Sequence, residues 1–314
     1  MSSGSKPRVL VIGIDCLTPQ LFFDRYLHRM PHTQALLNTS LWGRLESTTP
    51  PITIPAWPCM VTGKDPGQLG LYGFRNRRRH AEVELRLADG AWIESPTLWQ
   101  LLSRRRRRSV VLGVPMTHPV KPILGNLVAG IPLPSTTTRW THPPELASEL
   151  EALDYMVDVK KFRTHHLEQL GADLIRLRDS RFRAAQLLLK REAWDLFFMV
   201  DMSVDRLHHA FWAHAHADHV LHDPNTPHGS FMEDFYAGLD QRLGELLAEV
   251  ADDTAVFIVS DHGARSMRGS FRVNEWLLAQ GDLQLKTRPQ ETSPLDEGMI
   301  DFSKSRAWVA TGPT

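Results

Sequence analysis

Four short apolar runs constrain this chain more than any other feature: residues 9–14 (VLVIGI), 109–114 (SVVLGV), 196–200 (LFFMV) and 255–259 (AVFIV). A continuous rather than alternating apolar run, rich in β-branched or aromatic residues, predicts a strand covered on both faces, as in a parallel sheet. Helix-like stretches separate them, at residues 97–108, 167–191 and 231–250, the last with Phe235, Leu239, Leu243, Leu246 and Leu247 along one face. Residues 21–37 also show helical spacing of Phe22, Leu27 and Leu36, broken by Pro31. Helix followed by strand, several times over, predicts an α/β domain with a mainly parallel sheet. The pattern fails over residues 115–144, rich in Pro and Thr. That stretch, with the helix after it, reads as an insertion or cap within 115–191 of one domain spanning 7–314.

Three of the runs lead to groups that carry chemistry. Asp15 follows the first, Asp205 lies a few residues beyond the third, and Asp261-His262 comes just after the fourth. Ligands of open α/β sheets collect at the carboxyl edge of the strands, so these residues are candidates for one crevice. Asp205 and His209 are four residues apart, on one face if the segment is helical, and such a pair suits a metal ion. Asp261 and His262 can share an ion only on an irregular turn, which Gly263 permits. Oxygen and nitrogen donors without sulfur suit zinc or manganese, and using them all requires two ions. Each piece also has a plain reading: an Asp at a strand end caps a turn, and Asp-x-x-x-His is a surface pair. Thr53 stands in the proline-dense segment PPITIPAWP, where it suits a helix N-cap with Pro55 in the first turn. A metal on its oxygen would make it a nucleophile, and a helix start favours an anionic substrate.

Charge and cysteine content exclude several classes. Lys+Arg and Asp+Glu both number 36, so no global field attracts a nucleic-acid polymer or an anionic membrane. The run Arg104 to Arg108 falls at a predicted helix C-terminus, where cations complement the dipole. No stretch of about 18 apolar residues occurs, and MSSGSKPRVL lacks an apolar leader, so a soluble protein is expected. Cys16 and Cys59 are too few for a disulfide framework or a thiolate metal site, which makes the cytoplasm the expected compartment. His214, His216, His219, His222 and His228 crowd a polar segment with Pro224 and Pro227, read as a loop.

The segments VLVIGIDCLTP, GRLESTTPPITIPAWPCMVTGKDPGQLGLYGF, VDMSVDRLHHAFW and VSDHGARSMRGSFRVNEWLLAQGDL resemble the type I phosphodiesterase/nucleotide pyrophosphatase family of the alkaline phosphatase superfamily. The resemblance implies an alkaline-phosphatase-like three-layer sandwich. It implies one divalent ion held by Asp15, Thr53, Asp261 and His262, and a second by Asp205 and His209, zinc first and manganese second. It makes Thr53 the nucleophile that forms a phospho-enzyme, later hydrolysed by water. Sulfatases carry Cys or Ser there, followed by x-Pro-x-Arg, whereas this chain has Thr53 and Trp57. Three positions depart from the family. The second ion's third ligand is a His well downstream of Asp-His-Gly, yet no His follows His262, and the ending ATGPT resembles the middle of the family domain. Set against the resemblance, either the chain is a fragment, short of the family domain at its C-terminus, or its second site is incomplete or rebuilt. The Asn that helps hold a phosphate oxygen falls near Phe74, with Asn76 close by, and Cys16 stands where Gly is usual. The expected function is metal-dependent hydrolysis of phosphodiesters or nucleotide-type pyrophosphates, on a small-molecule phosphate ester or nucleotide. The alternatives are a truncated, non-catalytic metal- or phosphate-binding relative, and a phosphomonoesterase, phosphonate hydrolase or phosphomutase of the same superfamily.

Overall fold

The computed structural model describes residues 8–76, 85–134, 138–191, 193–291, 293 and 295–309; both ends of the expected 7–314 domain lie outside them. The strands are β1 (Arg8–Ile14), β2 (Arg75–Asn76), β3 (Arg86–Leu87), β4 (Ser109–Val114), β5 (Gly125–Ala129), β6 (Thr141–His142), β7 (Leu196–Asp201) and β8 (Thr254–Val259). The helices are α1 (Pro31–Leu37), α2 (Thr53–Thr62), α3 (Pro66–Leu69), α4 (Leu98–Arg104), α5 (Leu146–Ala152), α6 (Leu167–Arg191), α7 (Ser203–Ala215), α8 (Phe231–Leu247) and α9 (Val273–Gln280). Six strands form one sheet in the order β6-β5-β4-β7-β1-β8, parallel throughout except for the β5–β6 edge pair. All four apolar runs are strands of this mainly parallel sheet, as their composition predicts.

The two-residue period of β1 divides its side chains between two cores. Leu10, Ile12 and Ile14 join the cluster built with Leu170, Leu174 and Leu177 of α6 and Leu239 and Leu243 of α8. Val9 and Val11 face the other cluster, with Trp57 and Val61 of α2, Trp99 and Phe198. Helices therefore cover both faces. Each fully buried aliphatic side chain contributes about 1.5–3 kcal/mol, enough in sum to hold the strand ends where they are.

Some predicted elements differ in extent. The helix expected to run to residue 108 stops at Arg104, because Arg106 adopts a left-handed φ of 55°. Residues 21–37 resolve into a π-helical turn, a 3-10 turn and α1, with Pro31 opening α1 in the N-terminal position proline favours. Residues 115–191 supply two sheet strands and α6, whose apolar face lies in the larger core. The run at 255–259 reads as a buried strand. Instead β8 is the outermost strand among the described residues, with Val256 and Phe257 exposed at 38% and 52%.

The chain divides into two units, Met1–Phe74 with Ala88–Ser266, and Arg75–Leu87 with Met267–Thr314. The first contains the sheet. The second holds the antiparallel pair β2–β3, helix α9 and a small cluster of Leu277, Leu283 and Ile300 with Trp308 beside it. Among the described residues, no helix is long and apolar enough to cross a membrane.

Candidate functional site

β1 and β8 are parallel neighbours with Gly13 opposite Val259, so the residues after them, Asp15 and Asp261, emerge side by side. One oxygen of each carboxylate is tied to the framework. Trp57 Nε1 donates to Asp15 Oδ2 at 2.7 Å, and the Cys16 amide donates to Asp261 Oδ1 at 3.1 Å. The other oxygens, Asp15 Oδ1 and Asp261 Oδ2, lie 3.5 and 3.4 Å from His262 Nε2. His262 Nδ1 is 3.1 Å from the Gly263 carbonyl. A carbonyl only accepts, so Nδ1 is the donor of that contact, and Nε2 is the ring atom turned to the two acids.

The irregular turn expected at Asp261-His262 is held by residues that sequence reasoning passed over. Ser260 Oγ accepts from the Leu17 amide and donates to the His262 carbonyl, both at 2.8 Å. Thr18 Oγ1 accepts from the Ala264 amide at 2.8 Å, and Ser47 donates to the Asp261 carbonyl. Trp57 reaches Asp15 because Gly13 leaves room: a Cβ there would sit 2.5 Å from the indole. The spacing of Thr53 and Trp57, one helical turn apart on α2, was the available signal for that partnership.

Thr53 is not the N-cap. The cap is Ile52, in extended geometry, and Thr53 is the first helical residue, with no side-chain capping bond. Its hydroxyl turns to the strand ends instead, 3.3 Å from Asp15 Oδ1 and 3.2 Å from His262 Nε2. The side chain is buried, and the backbone N–H groups of Thr53 and Ile54, at the start of α2, have no carbonyl of the helix to bond.

Burial, then the charges of Asp261 and Asp205, hold Asp15 well above the usual carboxylate range. Burial pushes Asp261 up to about 7. A divalent cation at the point the two acids share would reverse both effects. The donors fit one: single ligand atoms of Asp15, Asp261 and His262 all lie within 4.8 Å of one another, and Asp261 Oδ2 is buried without a hydrogen bond. Among the described residues, no other three His, Cys, Asp or Glu side chains bring their ligand atoms as close together.

Asp205 and His209 do lie on one helix, α7, with His209 Nε2 3.6 Å from Asp205 Oδ1. Burial keeps the His209 pKa below its ordinary value, which favours the neutral ring a ligand needs. Asp205 is close enough for its charge to raise Asp15, so the two groups share one field. Of the histidines expected on a loop, His214 instead lies in the last turn of α7, and three are engaged elsewhere: His214 Nδ1 with Thr226 Oγ1 and His222 Nδ1 with the Ala213 carbonyl, both at 2.8 Å, and His216 Nδ1 with Arg25 at 3.1 Å. His208 is buried against Tyr236 Oη at 3.0 Å and Cys16 Sγ at 3.4 Å, and burial drives its pKa down to about 3. Cys16 has a φ of 61°, the left-handed geometry that explains a glycine preference there. Asn76 belongs to β2 in the smaller unit. A cleft of about 390 Å³ opens beside His262, bordered by Phe22, Phe23, Trp42 and Phe257.

A helix-flanked, mainly parallel sheet whose strand ends gather two acids and a histidine around a helix-start hydroxyl defines an alkaline-phosphatase-like protein. The chain belongs to the type I phosphodiesterase / nucleotide pyrophosphatase family, whose sequence model matches residues 9–303. Among solved structures it is similar to the phosphonoacetate hydrolase of Sinorhizobium meliloti 1021 in complex with phosphonoformate. That match has a TM-score of 0.61 and 18% identity, covering 91% of this chain and 66% of the hydrolase. The same enzyme in complex with phosphonoacetate gives a TM-score of 0.61 at 16% identity, again over 91% of this chain and 66% of that one. A putative sulfatase from Bacteroides thetaiotaomicron VPI-5482 gives 0.50 at 14% identity, over 82% of this chain and 59% of its own. At these identities the likeness is one of fold. No curated protein matches the chain.

Proposed function

We propose that the chain is a metal-dependent hydrolase of phosphodiesters or nucleotide-type pyrophosphates, with Thr53 as the nucleophile. The observation that carries this reading is the Thr53 hydroxyl, released from capping and set between Asp15 Oδ1 and His262 Nε2. Asp15, Asp261 and His262, with the Thr53 oxygen, would hold one divalent ion, and Asp205 with His209 a second, zinc or manganese by donor type. When bound, such ions lower the hydroxyl pKa and offset charge on the phosphoryl oxygens. Thr53 Oγ1 attacks phosphorus, the P–O bond to the leaving group breaks, and a phospho-threonine forms. Water then attacks that phosphorus and returns the hydroxyl with release of the phosphate product. The first amides of α2 stabilise the anionic substrate. Trp57 fixes Asp15 from the position where sulfatases carry Arg, which supports phosphate over sulfate esters. Both cysteines are free, in keeping with the cytoplasmic location that belongs to the same reading.

The test is acid quenching of the wild-type chain during turnover of an activated phosphodiester, with zinc and manganese supplied separately. Phosphate recovered covalently on Thr53 supports the reading. Hydrolysis with no phospho-threonine in a burst-phase quench, and undiminished in Thr53→Ala, would overturn it.

A further inference from the structure

Asp205 is held differently from the other two acids. Arg206, the next residue on α7, has a side chain only 7% exposed, and its NH1 donates to Asp205 Oδ2 at 2.8 Å. The rest of the guanidinium grips Asp158: Nε lies 3.1 and 3.2 Å from its two oxygens, and NH2 2.6 Å from Oδ2. The guanidinium carbon sits 4.3 Å from the centroid of the Phe162 ring, and that ring is 5.2 Å from the imidazole of His209. Asp158 and Phe162 belong to the segment between α5 and α6, and Asp158 precedes Arg206 by 48 residues. One loop thus touches both members of the pair, Asp205 through Arg206 and His209 directly.

We propose that Asp158, Arg206 and Phe162 are positioning residues for a divalent cation at Asp205 and His209, so that the loop before α6 sets that ion's affinity. The inference rests on reading Asp205 and His209 as ligands. The single NH1 bond to Asp205 Oδ2 leaves Oδ1 to face His209 Nε2 and makes the carboxylate a one-oxygen ligand, while the fork of Nε and NH2 on Asp158 holds the guanidinium in place. A site with two protein donors depends on their preset geometry more than a site with three. The guanidinium charge by itself opposes a cation, and the two-oxygen contact with Asp158 offsets it. Losing the Asp158 charge therefore weakens the ion twice, by loosening the fork and by uncovering a positive charge.

The experiment is equilibrium dialysis of the full chain against Mn²⁺ at neutral pH, with a thermal melt of each metal-free variant. The wild type is expected to bind one ion tightly and a second weakly. Asp158→Asn, which keeps the side-chain size, and Arg206→Lys, which keeps charge but not the planar fork, should weaken the second ion roughly tenfold to a hundredfold. The first ion should stay within about twofold of wild type, since its donors share no partner with Arg206. Phe162→Leu leaves both ion pairs intact and should weaken the second ion severalfold, which keeps the test open if a charge variant fails to fold. Wild-type affinity for the second ion in all three variants, with that ion lost in His209→Ala, would overturn the positioning role alone. Retention of both ions by His209→Ala, or a single ion in the wild type, would instead overturn the ligand reading beneath it.

Discussion

The two proposed donor groups of this chain are built in opposite ways. Asp15, Asp261 and His262 come from segments about 245 residues apart that meet because β1 and β8 pair in parallel. The atom of each donor that faces away is tied to the framework: to the Trp57 indole, the Cys16 amide and the Gly263 carbonyl. Asp205 and His209 come from one turn of α7, and their supports are an arginine and a loop. Neighbouring strand ends bring several acids to one point and hold them rigidly. A single helix turn offers two donors and leaves the third to something else.

The largest effect expected from that contrast is at Thr53, which touches only the strand-end group. Thr53→Ala should reduce hydrolysis of an activated phosphodiester on the order of a thousandfold or more while both ions remain bound, measured by turnover and metal analysis together. Thr53→Ser should retain part of the activity. A change of only a few fold in the Ala variant would return Thr53 to a structural role.

Asp261→Asn comes next. Losing a charged ligand from the three-donor group should cost more than about a hundredfold in affinity for the tight ion, read by dialysis, and spare the weak one. Equal losses at both sites would show that the groups are one coupled centre. Trp57→Phe is milder, because the ring still fills the space beside Gly13 while the N–H to Asp15 is gone. It should weaken the tight ion roughly tenfold to a hundredfold, as loss of a ligand's outer partner does. A tight ion unaffected by Trp57→Phe would show that Asp15 needs no such anchor.

The smallest effect is in pH dependence. Burial raises Asp261 to about 7, so between the ordinary carboxylate range and about pH 7 the folded metal-free chain holds a proton that the unfolded chain has released. Its stability therefore falls as pH rises through that window. His208 acts in the opposite sense: with a folded pKa of about 3, the unfolded chain takes the proton first, and stability falls as pH drops below about 6.5. The two slopes oppose one another, so the informative measurement is the rise in melting temperature caused by Mn²⁺. Because the ion requires ionised acids, that rise should be larger at pH 7 than at pH 5. An equal rise at both would count against Asp261 as a ligand.

Much of this arrangement was legible in the chain. Continuous apolar runs encode strands whatever surrounds them, and a chemistry-bearing residue directly after such a run points to the sheet's carboxyl edge, which located Asp15 and Asp261-His262. The four-residue spacing of Asp205 and His209 fixed their common helix face. Spacing said nothing about which oxygen of each acid is occupied. It misjudged Thr53 as a cap, because a threonine before a proline-containing first turn has the same local signature at either position. It also missed Ser260, Thr18 and Ser47, common residues whose role exists only across the β1–β8 junction.

Local sequence thus decided the elements and the donor types, because backbone preference, apolar periodicity and ligand chemistry are properties of short segments. Tertiary structure alone decided which atoms meet. The pairing of β8 with β1 set Asp261 against Asp15, and the space over Gly13 let Trp57 claim one oxygen. The packing of a loop from before α6 on Arg206 claimed another, on Asp205. The exposure of Val256 and Phe257 on β8 shows the same division, since an apolar run specifies a strand but not what covers it.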